Sequence, residues 1–180
     1  MSKKEFDEFI NKQAKKKSDS KPVDWDAQRD EWLYYLSKFY QRVEAFLEEY
    51  IKENKLVHNY TVKTIFEEYI GGYSAKALNI ELGYHKLKLE PIGTNLIGAK
   101  GRVDLIGANG KVKFVLVNKA SSGPKIKVDV WIQGEKQPEK TDEPAVNEWE
   151  WKIATPPPRI KYINLEQDTF LEALMEVIGG

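Results

Sequence analysis

The apolar residues of this chain change their period near residue 56, and that change sets most of the architecture. Between Asp24 and Asn54, the residues Trp32, Leu36, Phe39, Val43, Phe46 and Tyr50 recur at alternating steps of four and three. Such steps put side chains on one face of a helix. Leu33, Tyr40, Leu47 and Ile51 widen the stripe, and Arg29, Glu44, Glu48 and Lys52 occupy the opposite side. Asp24 suits the N-cap, and Asp26 in the first turn meets the positive end of the helix dipole. Asn54 suits the residue just past the C-terminal end. The spacing predicts one helix over 25–53, about 45 Å long. A stripe this broad, followed by strands, reads as a helix lying on a sheet rather than a coiled-coil seam.

From Leu56 to Ile163 the period is two. Strands are predicted over roughly 59–70, 73–82, 84–90, 101–107, 111–118, 125–133, 148–154 and 159–163. Gly71-Gly72 and Leu82-Gly83 mark tight turns, Pro91 to Thr94 a looser one, and Asn109-Gly110 a hairpin. Short turns between consecutive strands imply an antiparallel meander with one solvated face. Residues 134–147, rich in Glu, Lys and Pro, read as an exposed loop. Asn164 and Gln167 have capping-box spacing ahead of a last helix with Phe170, Leu171, Leu174, Met175 and Ile178 on its apolar face. The expected fold is α+β: a curved antiparallel sheet of about seven or eight strands, packed by a long N-terminal and a short C-terminal helix.

Length and charge narrow the classes. The 180 residues suit a single domain over 24–180, preceded by a basic arm or linker over 1–23. That arm holds seven lysines against four acids, and Phe6, Phe9 and Ile10 at helical spacing allow a short amphipathic turn or two. With no cysteine, neither a disulfide framework nor a thiolate metal site can form. No stretch has the apolar length of a membrane span or signal peptide, which points to a cytoplasmic protein without membrane contact. Lys and Arg equal Asp and Glu at 28 each, so attraction to nucleic acid would have to come from a local basic patch or the arm.

Few residues are arranged for chemistry. His58 and His85 belong to no ligand pattern. Ser74, Ser121 and Ser122 have no nucleophile elbow, and the glycines of PIGTNLIGAKGR form no phosphate loop. One hairpin invites comparison. Gly101-Arg102-Val103-Asp104 opens a strand, and the next reads Phe114-Val115-Leu116-Val117-Asn118-Lys119. Over about 20 residues this resembles the central hairpin of the PD-(D/E)XK nuclease superfamily, where an aspartate on one strand and an acid-x-lysine on the next hold magnesium and position water. The resemblance implies Asp104 as the first acid and Lys119 as the lysine. Val117 stands at the second acid position and cannot bind a metal. If Asn109-Gly110 is the two-residue turn, Asp104 faces Val115, with Lys113 diagonal to it and Arg102 two positions along its own strand. Val103, Leu105, Phe114 and Leu116 then share the core face. Arg102, Asp104 and Lys113 are expected as an exposed ion cluster worth at most about 1 kcal/mol.

The other candidate surface is aromatic. Trp131, Trp149 and Trp151 lie on alternating strands and could anchor a core or a binding face. The expected function is a non-catalytic binding or accessory protein, engaging a protein partner through its sheet face, its loop or its basic arm. No metal or cofactor is expected. Two alternatives stand beside it: a carrier with an apolar cavity between helix and sheet, and a degenerate nuclease-like domain.

Overall fold

The computed structural model describes residues 3–19, 22–94, 96, 98–124 and 148–179, with side chains omitted for 12–19. Helix α1 runs from Lys3 to Asp19 and α2 from Trp25 to Lys52. The strands are β1 Val57–Glu67, β2 Gly71–Leu82, β3 His85–Gly93, β4 Gly101–Gly107, β5 Gly110–Asn118, β6 Trp149–Ala154 and β7 Tyr162–Asn164. Helix α3, Gln167–Ile178, follows. The strands lie in chain order in one open sheet, each antiparallel to its neighbours. This is the expected α+β meander. The strand predicted over 125–133 and the loop over 134–147 lie outside the described residues.

Helix α2 is built as its sequence demands. Asp24 accepts from the backbone N–H of Ala27 at 3.0 Å, and Asn54 takes a positive φ of 53° just past the end. Trp32, Leu36, Phe39, Tyr40, Val43 and Leu47 are buried. Phe46 and Tyr50, predicted to be buried, are only partly so. Beyond Phe39 the buried line advances in steps of four, through Val43 to Leu47, which turns Phe46 sideways onto Phe170 of α3 at 5.8 Å.

The core between helix and sheet is aromatic. Phe39 lies 4.7 Å from Trp151 and 5.3 Å from Phe114, ring centre to ring centre, and Trp32 lies 5.9 Å from Trp151. Trp32 packs against Gly101, where a Cβ would sit 2.2 Å from the indole. A larger residue at 101 would displace it.

Two local readings need correction. Residues 3–19 form a continuous helix rather than a turn or two, because nothing in KKEFDEFINKQAKKKSD breaks a helix before Pro22. The capping box at α3 is Glu166 with Thr169, not Asn164 with Gln167, because Asn164 is still the last residue of β7. Thr169 Oγ1 donates back to the Asn164 carbonyl at 2.9 Å, tying strand to helix.

The long β1–β2 hairpin positions the surface of interest. Its ladder runs without a bulge from Val57–Glu81 to Glu67–Gly71, whereas β3 covers only the Leu78–Leu82 end of β2. Along β2 the buried side changes from odd positions (Tyr73, Ala75) to even ones (Leu78, Ile80), with Ala77 buried at the crossing. Strand twist turns the outer half of the hairpin inward on its other face. Val62, Thr64 and Phe66 consequently face solvent.

Candidate functional site

The hairpin that resembles a nuclease centre has a different register from the expected one. Gly107 pairs with Gly110, so Ala108 and Asn109 form the turn. Neither has positive φ, which a type I′ turn needs at both central positions, and the positive φ of 137° falls on Gly110. Asn109 is used elsewhere. Its backbone N–H donates to the Val177 carbonyl at 3.0 Å and its side-chain amide to that of Ile178 at 3.2 Å, capping α3. The register shifts by two residues, so the faces are kept while the partners change. Val103, Leu105, Phe114 and Leu116 are all buried, as expected. Asp104 faces Lys113 rather than Val115, and Arg102 faces Val115.

Asp104 is also buried, at 2% exposure, where an exposed cluster was expected. It lies on a central strand, directly between Glu90 of β3 and Lys113 of β5. Arg102 folds over it as a two-pronged clamp, Nε to Oδ1 at 2.6 Å and a terminal nitrogen to Oδ2 at 2.7 Å. Lys111 Nζ lies 3.5 Å from Oδ2. The bond to Asp104 is the main reason the Arg102 pKa is raised. Glu90 is held by Lys63 at 3.1 Å and Lys88 at 3.3 Å. Burial pushes the Glu90 pKa up, but the two ammonium groups outweigh it and the net shift is downward. Lys152, also buried, donates to the carbonyls of Lys119 and Ser121. The cations of this face are therefore largely engaged by groups of the chain itself.

The residues carried over from the nuclease hairpin do not come together. Asp104 pairs with Lys113, so Lys119 lies six residues further on, about 20 Å along the strand direction. Lys119 is exposed and pairs with Glu148 at 3.1 Å. Val117 is fully buried. Among the described residues, no group of three or more His, Cys, Asp or Glu is placed to hold a metal.

The tryptophans separate. Trp151 is a core residue, with its indole N–H donating to the Tyr35 carbonyl at 3.0 Å, and it offers no face to a partner. Trp149 is half-buried with the Lys100 ammonium 4.6 Å above its ring. Trp131 lies outside the described residues. Each histidine is a strand residue. His58 Nε2 lies 3.3 Å from Glu44 Oε1, which also accepts from Tyr60 Oη at 2.7 Å. Burial, and then that hydrogen bond, push the Tyr60 pKa up.

The surface that sequence reading missed is the outer side of the β1–β2 hairpin. Phe66 is 82% exposed, Val62 73% and Tyr69 63%. Across the ladder Phe66 faces Gly72 and Val62 faces Lys76, with Thr64 opposite Ser74. At the tip, Tyr69 stacks on Trp25 of α2 with centroids 5.0 Å apart. Beside this stack is an open groove of about 330 Å³, lined by Trp25, Gln28, Tyr69, Ile70, Leu96 and Lys100 among others. Its wall is anchored by Glu67, a buried carboxylate that accepts from Tyr73 Oη, from the Thr94 N–H and from Thr94 Oγ1 at 2.7 Å. Burial, and then the bond to Glu67, push the Tyr73 pKa up. Gln28 donates to Thr94 Oγ1 at 3.4 Å. This cluster locks the hairpin tip to the start of α2 and to the turn after β3. The available signal was the Ile65-Phe66 pair, since adjacent residues of a strand cannot both face inward.

Comparisons of the chain with protein-family models, with curated proteins and with solved structures give no match. Among the described residues no helix is long and apolar enough to cross a membrane.

Proposed function

We propose that this chain is a non-catalytic binding or accessory protein that engages a protein partner through the outer side of its β1–β2 hairpin. The observation that carries this reading is the exposure of Phe66 and Val62 on one side of an unbroken hairpin, with Tyr69 exposed at its tip. Large apolar side chains grouped on an ordered surface mark interaction sites in soluble domains, and aromatic residues are the usual anchors. The hairpin tip is fixed by the buried Glu67–Tyr73–Thr94 cluster, so little ordering entropy remains to be lost on binding.

The two alternatives have less support. A carrier needs space between helix and sheet, and there the rings of Trp32, Trp151, Phe39 and Phe114 pack one on the next in a chain. A magnesium nuclease needs clustered carboxylates, and Asp104 is taken up by Arg102 while Val117 replaces the second acid.

Affinity capture from the native cell, followed by mass spectrometry, tests the reading when wild type is compared with Phe66→Ala/Tyr69→Ala. A protein retained by wild type and lost with the double variant is the expected result. Equal capture by both would locate the binding surface elsewhere.

A further inference from the structure

We infer that the edge of β1 that no other described strand pairs is completed by β1 of a second copy of this chain, in an antiparallel pair about a two-fold axis through Val62. This rests on the protein-binding reading of the hairpin and names its partner.

The two edges of the sheet are unequal. β7 has three residues, the short form that resists strand addition. β1 has eleven, without proline or a bulge in its pairing to β2. Its length corresponds to about 37 Å of pairable backbone. Residues 59–62 are exposed, and no described residue pairs with this stretch of the edge. Natural edges of this length are usually blunted by a charge in mid-strand. The charge at that place is Lys63, and it is drawn away from the edge. Opposite it stands only Ala75, and its ammonium reaches across the sheet to Glu90 at 3.1 Å and the Pro91 carbonyl at 3.2 Å. Glu67, at the strand's end, is turned inward and bonded to Tyr73 and Thr94.

The register follows from the ladder. Along an antiparallel edge, alternate residues direct both backbone groups outward. Two copies of β1 must therefore pair residues of like parity, and a two-fold axis must pass through a residue rather than between two. An axis through Lys63 would leave Val57 and His58 beyond the end of the pairing. An axis through Thr61 would leave Phe66 beyond the end of the pairing. An axis through Val62 pairs all eleven residues and opposes no like charges. On the exposed face Val62 meets Val62 of the second copy, Tyr60 meets Thr64, and His58 meets Phe66. On the other face Lys63 meets Thr61 and Glu67 meets Val57. The pairing would form roughly ten to twelve backbone hydrogen bonds and cover the two most exposed apolar side chains of the strand.

The axis places position 62 opposite itself, and that gives the test. Val62 is exposed, so substitutions there leave the fold intact. The purified full chain is followed by sedimentation velocity over a wide concentration range. Wild type should dimerise, and Val62→Lys and Val62→Glu should each weaken dimerisation by roughly tenfold or more. Mixing the two variants should restore it. Because the chain has no cysteine, Val62→Cys under mild oxidation should give a disulfide-linked dimer, and Tyr84→Cys, at the exposed β2–β3 turn, should not. A monomeric wild type, with Val62→Cys crosslinking no faster than Tyr84→Cys, would overturn the inference. If, in that case, capture from the native cell still depends on Val62 and Phe66, the edge takes a strand of another protein and the binding role of the hairpin stands. If capture depends on neither residue, both readings fall.

Discussion

Phe39 and Phe66 invite the same substitution and should give opposite results. Phe39 is fully buried, with Trp151, Phe114 and Tyr40 around its ring at 4.7, 5.3 and 5.7 Å. Phe39→Ala removes the ring and leaves a cavity that three other rigid rings cannot readily close. The cost should be about 3–5 kcal/mol, a large share of the roughly 5–15 kcal/mol that holds a domain folded. Phe66 is 82% exposed, and Phe66→Ala should change stability by no more than about 0.5 kcal/mol. Urea unfolding monitored by tryptophan fluorescence reads both. With a slope of about 2 kcal/mol per molar urea, Phe39→Ala should lower the midpoint by about 1.5–2.5 M without changing the slope. Phe66→Ala should leave it in place when measured at a protein concentration where wild type is monomeric. A near-neutral Phe39→Ala would mean the α2 stripe does not pack the sheet. A strongly destabilised Phe66→Ala would mean that Phe66 is part of the fold rather than of a binding surface.

Other consequences follow from the polar clusters. Asp104→Ala leaves Arg102 without its carboxylate over a central strand, and should cost about 3–5 kcal/mol rather than the 1 kcal/mol of a surface pair, read as the loss in unfolding free energy. The Glu90 pKa is lowered in the folded chain, so its contribution is present above the ordinary glutamate value of about 4.3 and is lost as pH falls through the lower folded value. Glu90→Gln should therefore flatten the acid side of the stability curve and leave its shape above neutrality unchanged. Gly101→Ala drives a methyl group into the Trp32 ring and should cost about 1–3 kcal/mol in urea, with a change in tryptophan emission. With magnesium or manganese present, the purified protein should leave DNA and RNA intact; cleavage abolished by Asp104→Ala would restore a nuclease reading.

How much of this was legible in the sequence depended on how local its cause was. Helix α2 was legible because Asp24, the Trp32-to-Val43 stripe and Asn54 each act through near neighbours. The meander was legible because short turns force consecutive strands together. The turn at Asn109 was misplaced because the residue that decides it lies nearly seventy positions away: Val177 and Ile178 recruit the asparagine to cap α3. The burial of Asp104 was missed for a similar reason, since a strand's own pattern does not tell whether its polar face lies at the centre of a sheet or at its rim. Trp151 went to the core and Trp149 to the margin because strand alternation assigns them one face but not how far along it the helix extends. The exposed side of β1 escaped altogether. Val62, Thr64 and Phe66 alternate with Lys63, Ile65 and Glu67, and only the twist of the hairpin decides which set turns inward.

Amide hydrogen exchange across β1 tests the binding role of the hairpin most directly. The free chain should exchange quickly at those residues of 57–67 whose N–H groups point off the edge, and slowly throughout β4 and β5. On complex formation, with a second copy or with a captured partner, protection should rise along 57–67 and at the Tyr69 tip while the rest of the sheet is unchanged. Protection that appears instead on α1, or on the Arg102–Asp104 face with β1 unaffected, would contradict the account.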